Sequence, residues 1–333
     1  MTKEKLAELL VSNKNLSRYN TKKLARKFNL TEKEIFEARL LAKASKGVSP
    51  KSGFKKEIFK KLSEDGFITK GLNDGKQMPK VLLIDTETAP LEAYVWRLWK
   101  QTIGWNQVSS QWYMLCWSAK WLYSDDVITE VLTPEEAVRE DDSRIMTDLW
   151  KLIDECDVLV AHNAKGADIP WTNTRFILNG MTPPTPYHVV DTLEIARKNF
   201  AFSSNKLDAL AEYFGIEHKI KVDFDLWREC RHGNPKALEE MAFYNKKDVD
   251  ILEQVFLKLR PWMKGQLNLN NYLDSKVTIC ATCGSENLED TGNFYYTSTG
   301  KYTLFRCKDC GAITRSRYNL RIPKEIRATS TGR

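Results

Sequence analysis

Apolar positions along this chain follow two rhythms. Between residues 81 and 262, short unbroken apolar runs alternate with stretches in which apolar residues recur every three or four positions. An unbroken run bounded by polar residues reads as a strand buried on both faces, and three-to-four spacing reads as an amphipathic helix. The pattern predicts strands over 81–86, 113–120, 127–132, 157–161 and 188–192. It predicts helices over 135–154, 169–178, 193–199, 205–214 and 236–259. Strands mixed with helices in this way make an α/β domain.

The N-terminal region has the helical rhythm alone. Residues 2–11 read as a short helix, and 21–44 as two helices about a break at Asn29-Leu30. Thr31 and Glu34 form a T-x-x-E capping box that starts the second. Leu24, Ala25 and Phe28 make one inner stripe, and Ile35, Ala38 and Ala42 the other. Lys22, Lys23, Arg26, Lys27, Lys33 and Arg39 fall on outer faces. Residues 1–50 are therefore a helix–turn–helix-like module or an ordinary helical hairpin; periodicity alone does not show groove binding. Residues 51–79, rich in Lys, Gly and Ser, read as a basic linker or an extension of it.

Charge sharpens this division. Residues 1–80 carry 20 Lys and Arg against 9 acids, residues 81–270 carry 21 against 29, and residues 271–333 carry 10 against 6. Two basic ends flank an acidic middle. Basic flanks are the footprint of a polyanion binder, and an acidic middle fits such a protein if its acids hold cations. No apolar run approaches the roughly 20 residues of a membrane span, and MTKEKLAELL does not read as a secretory signal. The expected location is cytoplasmic.

The acids of the middle region fall in an ordered set. The run Val81-Leu82-Leu83-Ile84 leads directly into Asp85-Thr86-Glu87. Such a carboxylate pair at the end of a buried strand is costly without a partner. The run 157–161 leads into His162-Asn163 and then Asp168, where a helix starts. Tyr244 and Asp248 stand i and i+4 on the last predicted helix and so share one face. Each acid alone is weak evidence, because acids often cap helices.

The full order, D-x-E, then HN-x-x-x-x-D, then Y-x-x-x-D, resembles the DEDD superfamily of 3′–5′ exonucleases on a ribonuclease H-like fold. The tyrosine resembles the DEDDy branch found in proofreading domains of family A and B DNA polymerases. The segments AYVWRLWKQTIGWNQ, WYMLCWSAKWL, VVDTLEIARKNFAFSSNKLD and YNKKDVDILE look like bacteriophage exonucleases with an N-terminal helix–turn–helix and a C-terminal zinc ribbon. The likeness covers most of 80–333 and, more loosely, 1–50. It implies a mixed sheet flanked by helices in an exonuclease domain over 80–265. It implies that Asp85, Glu87, Asp168 and Asp248 hold two Mg²⁺ or Mn²⁺ ions, with Glu87 near the attacking water and Tyr244 orienting that water. Two such ions make an otherwise self-repelling carboxylate cluster favourable. Asn163 would contact the terminal nucleotide, and His162 reads as structural. At Ala167 the chain departs from the family, which commonly carries an aromatic there; the departure implies a looser pocket for the 3′-terminal nucleotide. Lys246 and Lys247 read as solvent-facing, with phosphate contact the alternative.

Two cysteine pairs follow. Cys280-Ala-Thr-Cys283-Gly and Cys307-Lys-Asp-Cys310-Gly are CxxCG knuckles, flanking a hairpin that turns at Ser298-Thr299-Gly300. Four thiolates so spaced read as one structural Zn²⁺ site in a ribbon over 275–322, before a flexible tail at 323–333. Arg306, Lys308, Arg315, Arg317 and Arg321 suit that ribbon to nucleic acid. Trp96, Trp99, Trp105, Trp112, Trp117, Trp121 and Tyr94 crowd one region. They read first as core aromatics on a meander, and second as a platform for stacked bases.

The expected function is a two-metal 3′–5′ exonuclease acting on DNA in phage replication, repair or recombination, inside an infected bacterial host if phage-encoded. A replication or recombination protein is a further candidate partner. A ribonuclease or structure-specific endonuclease on the same fold is the alternative, as is a DNA-binding protein that no longer cuts. A metal site reads phosphate, not sugar, so the sequence does not choose between DNA and RNA.

Overall fold

The computed structural model describes residues 5, 6, 10, 24, 28, 30, 35, 38, 78–216, 222–263, 265, 267–273, 275 and 277–321. It falls into two compact units, Met1–Gln77 and Met78–Arg333. In the first unit, Leu6, Leu10, Leu24, Ile35 and Ala38 are helical and buried, and Phe28 is helical and half-buried. Leu24, Phe28, Ile35 and Ala38 are positions of the expected stripes, and Leu6 and Leu10 fall in the helix expected over 2–11. The capping box Thr31/Glu34, the outer-face Lys and Arg, the segment 51–77 and the tail lie outside the described residues.

The second unit is built on a five-stranded mixed sheet. Strands β1 (Val81–Thr88), β4 (Met114–Trp121), β5 (Val127–Val131), β6 (Val158–Ala161) and β7 (His188–Asp191) lie in the order β5-β4-β1-β6-β7. β5, β4 and β1 run antiparallel to their neighbours, while β1, β6 and β7 are parallel. All five expected strands form, each within two residues of its expected bounds. β1 is central and apolar on both faces: Leu82 and Ile84 join one core, Val81 and Leu83 the other.

Helices, numbered from the first described throughout, cover both faces. They are α1 (Pro134–Arg139), α2 (Ser143–Asp154), α3 (Asp168–Leu178), α4 (Thr192–Asn199), α5 (Leu207–Tyr213), α6 (Phe224–Arg231) and α7 (Pro235–Leu259). The helix expected over 135–154 is two helices. Thr133 and Glu136 box the first, and Glu140 ends it in the left-handed region at φ 58°. Asp142, fully buried, then accepts from Met114 N (2.9 Å), Arg175 Nε (2.5 Å) and Asn179 Nδ2 (2.8 Å). A buried carboxylate needs such donors, and reaching them breaks the helix. Helix α6 and a two-stranded hairpin, β2 (Glu92–Ala93) with β3 (Val108–Ser110), are additions that the apolar rhythm did not predict.

Helix α7 is the long one. Asn234 caps it by accepting from Lys236 N (3.1 Å), Pro235 opens it, and a buried stripe runs from Leu238 through Met241, Asp248 and Val255 to Leu259. Beyond it, β8 (Leu288–Tyr296), β9 (Lys301–Cys307) and β10 (Ile313–Arg315) form a separate antiparallel sheet. Thr297 N donates to Gly300 O (3.0 Å), closing the hairpin at the expected turn. Among the described residues no helix is long and apolar enough to cross a membrane.

Candidate active site and cysteine cluster

β1 alternates its side chains, so Asp85 and Glu87 share one face and Thr86 takes the other. α7 crosses that strand and brings Asp248 to it. A carboxylate oxygen from each of Asp85, Glu87 and Asp248 lies within 4.8 Å of the other two. Two donors hold the set. Asn245 Nδ2 donates to Asp85 Oδ2 (2.6 Å), and Trp227 Nε1 on α6 donates to Glu87 Oε2 (3.0 Å). Asn245 is fully buried, and its Oδ1 has no hydrogen-bond partner among the described residues. A buried amide so arranged is costly, and that cost marks the position as one specified by the site. Tyr244, one turn before Asp248, is buried edge-on against Trp227, with ring centroids 6.1 Å apart.

Asp168 stands apart from that set. It opens α3, is buried, and accepts from Thr86 Oγ1 (2.8 Å), on the face of β1 opposite Asp85. Burial pushes its carboxyl up to about 7; the hydrogen bond from Thr86 pulls it down, and the charge of Asp191 raises it. Cys116 lies buried beside the acids. Its thiol is pushed well up, first by burial and then by the charges of Glu87 and Asp85.

The acids open onto a cleft of about 580 Å³, lined also by His162, Asn163, Arg197, Ser203 and Lys206. His162 is fixed at both nitrogens. Nε2 faces the Asn205 carbonyl (2.9 Å), which can only accept, so Nε2 donates, and Nδ1 lies 2.9 Å from Thr192 Oγ1, which itself donates to Ala161 O (3.2 Å). Asn163 adopts φ 71°, and its backbone N–H donates to Asp191 Oδ1 (3.1 Å). A Cβ on Gly166 would sit 2.6 Å from Asn163 Oδ1, so glycine there makes room for that side chain. Asp191 also accepts from the backbone of Lys165, Leu193 and Glu194, pinning the loop after β6. Lys246 is exposed on α7 and does not line the cleft.

Sequence reasoning missed Asn245, Trp227, Arg197 and Lys206. Asn245 carried a signal, since it sits in the motif beside Tyr244. Trp227 carried none, because only the packing of α6 brings it to Glu87.

Three carboxylates converging on an open cleft suit a hard divalent cation such as Mg²⁺ or Mn²⁺. The cysteines offer a different donor set. One sulfur from each of Cys280, Cys283, Cys307 and Cys310 lies within 4.8 Å of the others. Cys280 and Cys310 are 3.6 Å apart, as are Cys283 and Cys307, close to the ~3.8 Å edge of a tetrahedron with Zn–S bonds of ~2.3 Å. Gly284 (φ 74°) and Gly311 (φ 82°) turn the chain back, donating to Cys280 O and Cys307 O at 2.9 Å. Of the ribbon cations, Arg315 lies over the rings of Tyr302 (4.5 Å) and Tyr295 (5.1 Å). Arg306 donates to Gly311 O (3.3 Å), and Arg317 to Asn271 Oδ1 (3.4 Å).

A family model described as the RNase_H superfamily matches residues 121–260. The fold is ribonuclease H-like. The matched range takes in Asn163, Asp168, Tyr244 and Asp248, and begins after β1. No curated protein matches the sequence. Among solved structures, the family B DNA polymerase from the hyperthermophilic archaeon Pyrobaculum calidifontis is similar at 15% identity and a TM-score of 0.41, over 69% of this chain. The chain spans about a third of that polymerase's length, 33%.

Proposed function

We propose that this protein is a metal-dependent 3′–5′ exonuclease, with DNA favoured over RNA. The observation that carries this reading is the convergence of Asp85, Glu87 and Asp248 at an open cleft, with Tyr244 one turn away on the same helix. These acids would hold two Mg²⁺ or Mn²⁺ ions, and Asp168 would join them as the fourth only by releasing Thr86 and turning its carboxylate toward them. Bound there, such ions would activate water and stabilise the leaving alkoxide. Asn245 and Trp227 hold Asp85 and Glu87 in place, which lowers the reorganisation needed when substrate arrives. Tyr244 orients the attacking water. Asn163 meets the terminal nucleotide, and Arg197 and Lys206 at the cleft contact phosphate. Lys246 touches the chain only farther from the cut. The four cysteines hold one structural Zn²⁺, and Arg306, Arg315 and Arg317 make the ribbon (275–322) a nucleic-acid clamp. The basic module at 1–50 adds affinity, through 51–79, to the catalytic domain at 80–265.

The test is cleavage of single-stranded DNA, duplex DNA and RNA, each labelled at either end in turn, with Mg²⁺ or Mn²⁺. Mononucleotide release from DNA 3′ ends, absent with Asp85→Ala, is the expected result. Internal cuts, or cleavage of RNA alone, would replace this reading with the endonuclease or ribonuclease one.

A further inference from the structure

The hairpin β2–β3 ends in a loop, Tyr94–Gln107, whose rings are turned outward. Trp96 is 96% exposed, Leu98 84%, Trp105 80%, Trp99 79% and Tyr94 78%. The core reading of the aromatic cluster holds for Trp117, which is fully buried, and fails for these. A patch of large rings in water is unusual on a protein surface and marks a contact site.

The loop is ordered without using those rings. Tyr94 N donates to Gln107 O (2.8 Å), Gln107 Nε2 to Tyr94 O (2.9 Å), and Gly104 N to Gln107 Oε1 (2.8 Å). Arg97 Nη2 donates to Lys100 O (3.1 Å). None of the four rings stacks on another ring among the described residues. Polar ties therefore build an arm and leave its aromatic faces open.

The base of the arm is clamped by Arg231 on α6. Its guanidinium donates to Pro90 O (2.8 Å), pairs with Glu92 (3.0 Å) and Glu140 (2.7 Å), and touches Ser110 Oγ. Those contacts span both strands of the hairpin. Trp227, which holds Glu87, stands four residues earlier on the same helix, about one turn or ~5.4 Å away. One short helix thus fixes both a site carboxylate and the root of the arm.

We propose that this arm is a stacking platform for single-stranded nucleic acid leading into the acid cleft. The proposal rests on the nuclease reading for the identity of that strand. Charge favours nucleic acid over an apolar protein partner. Residues 93–124 contain no acid, although they lie in a domain of net negative charge, and Arg97 and Lys100 are exposed between the rings. Rings interleaved with cations are what unpaired bases and their phosphates require. A continuous aliphatic surface would suit a protein better.

The experiment uses the full-length protein in Ca²⁺ and a fluorescein-labelled oligodeoxythymidylate long enough to span cleft and arm. Anisotropy then gives the affinity across a salt series. Trp96→Ala and Trp99→Ala should each weaken binding about tenfold, Phe at the same positions should restore most of it, and Leu should not. Arg97→Gln with Lys100→Gln should lower the slope of log K against log salt by about 1.4. All these side chains are exposed, and circular dichroism confirms that each variant is folded. Leu variants that bind as wild type does, or a wild-type protein that binds no oligonucleotide, would overturn the proposal and leave the rings to a protein partner. Cleavage by the wild-type protein in Mg²⁺ separates the two readings. Ring-dependent binding without cleavage sinks the nuclease reading and keeps the arm; cleavage with ring-independent binding does the reverse.

Discussion

Among the described residues, side chains that could hold a metal gather in two places, and the two are built differently. The cysteine cluster draws all four sulfurs from residues 280–310, with Cys280 and Cys307 buried. Two tight turns and one hairpin suffice to assemble it. The acid cluster draws on residues 85, 87 and 248, stays half-open at Asp85 and Glu87, and exists only because α7 crosses β1. A closed thiolate set fixes structure, while an open carboxylate set leaves room for a substrate and its water. The acid cluster also spends stability on its geometry, seen in the unpartnered Oδ1 of buried Asn245.

Substitutions can break or sharpen this contrast. The largest effect is expected from Asp85→Ala or Asp248→Ala, which should reduce cleavage on the order of 10³-fold or more with the fold intact. Rates from single-turnover cleavage, with melting curves as control, check this; a near wild-type rate would remove the acid cluster from the chemistry. Cys283→Ser should do the converse. Metal analysis should find bound zinc fall from one ion per chain to none. The ribbon sheet should lose its amide-exchange protection while the central sheet keeps its own.

A third substitution asks how far the acids depend on their holders. Asn245→Leu removes the donor to Asp85 and should weaken Mn²⁺ binding by about 10- to 100-fold, read by titration calorimetry. Unchanged affinity would make Asn245 a core residue only. Trp227→Phe keeps the ring against Tyr244 and deletes the bond to Glu87. A smaller loss, about threefold to tenfold in cleavage rate, is expected, and none would show that Glu87 is held by other contacts.

The smallest effect concerns Asp168 in metal-free protein. An unfolded carboxyl titrates near ~4, and burial holds the folded one at about 7. The folded chain therefore binds that proton more tightly. Its stabilising effect is complete below about pH 4 and is lost as pH rises through about 7. Asp168→Asn should flatten the fall in Tm between those values, and an unchanged pH profile would show that Asp168 ionises freely.

Much of this was legible in the chain. The run VLLI into Asp85 and Glu87 located the central strand and its acids, because a strand apolar on both faces must lie inside a sheet. The CxxCG pairs located the cysteine cluster, because a knuckle is local and its glycine has one conformational job. Tyr244 and Asp248 were singled out by the family resemblance, and helical spacing, which is local, put them on one face. The order of strands in the sheet, the break at Glu140 and the seat of Asp168 on Thr86 were decided by the tertiary structure. Each depends on partners far away in sequence: Asp142 reaches Arg175 and Asn179, Asp168 reaches Thr86, and Asn245 reaches Asp85. The aromatic cluster shows the limit most plainly. Trp117 and Trp96 are the same residue in the same stretch, yet one is core and the other stands in water. Only the strand pairing of β1 with β4, and the clamp of Arg231 at the root of the hairpin, determine which face of the chain each one meets.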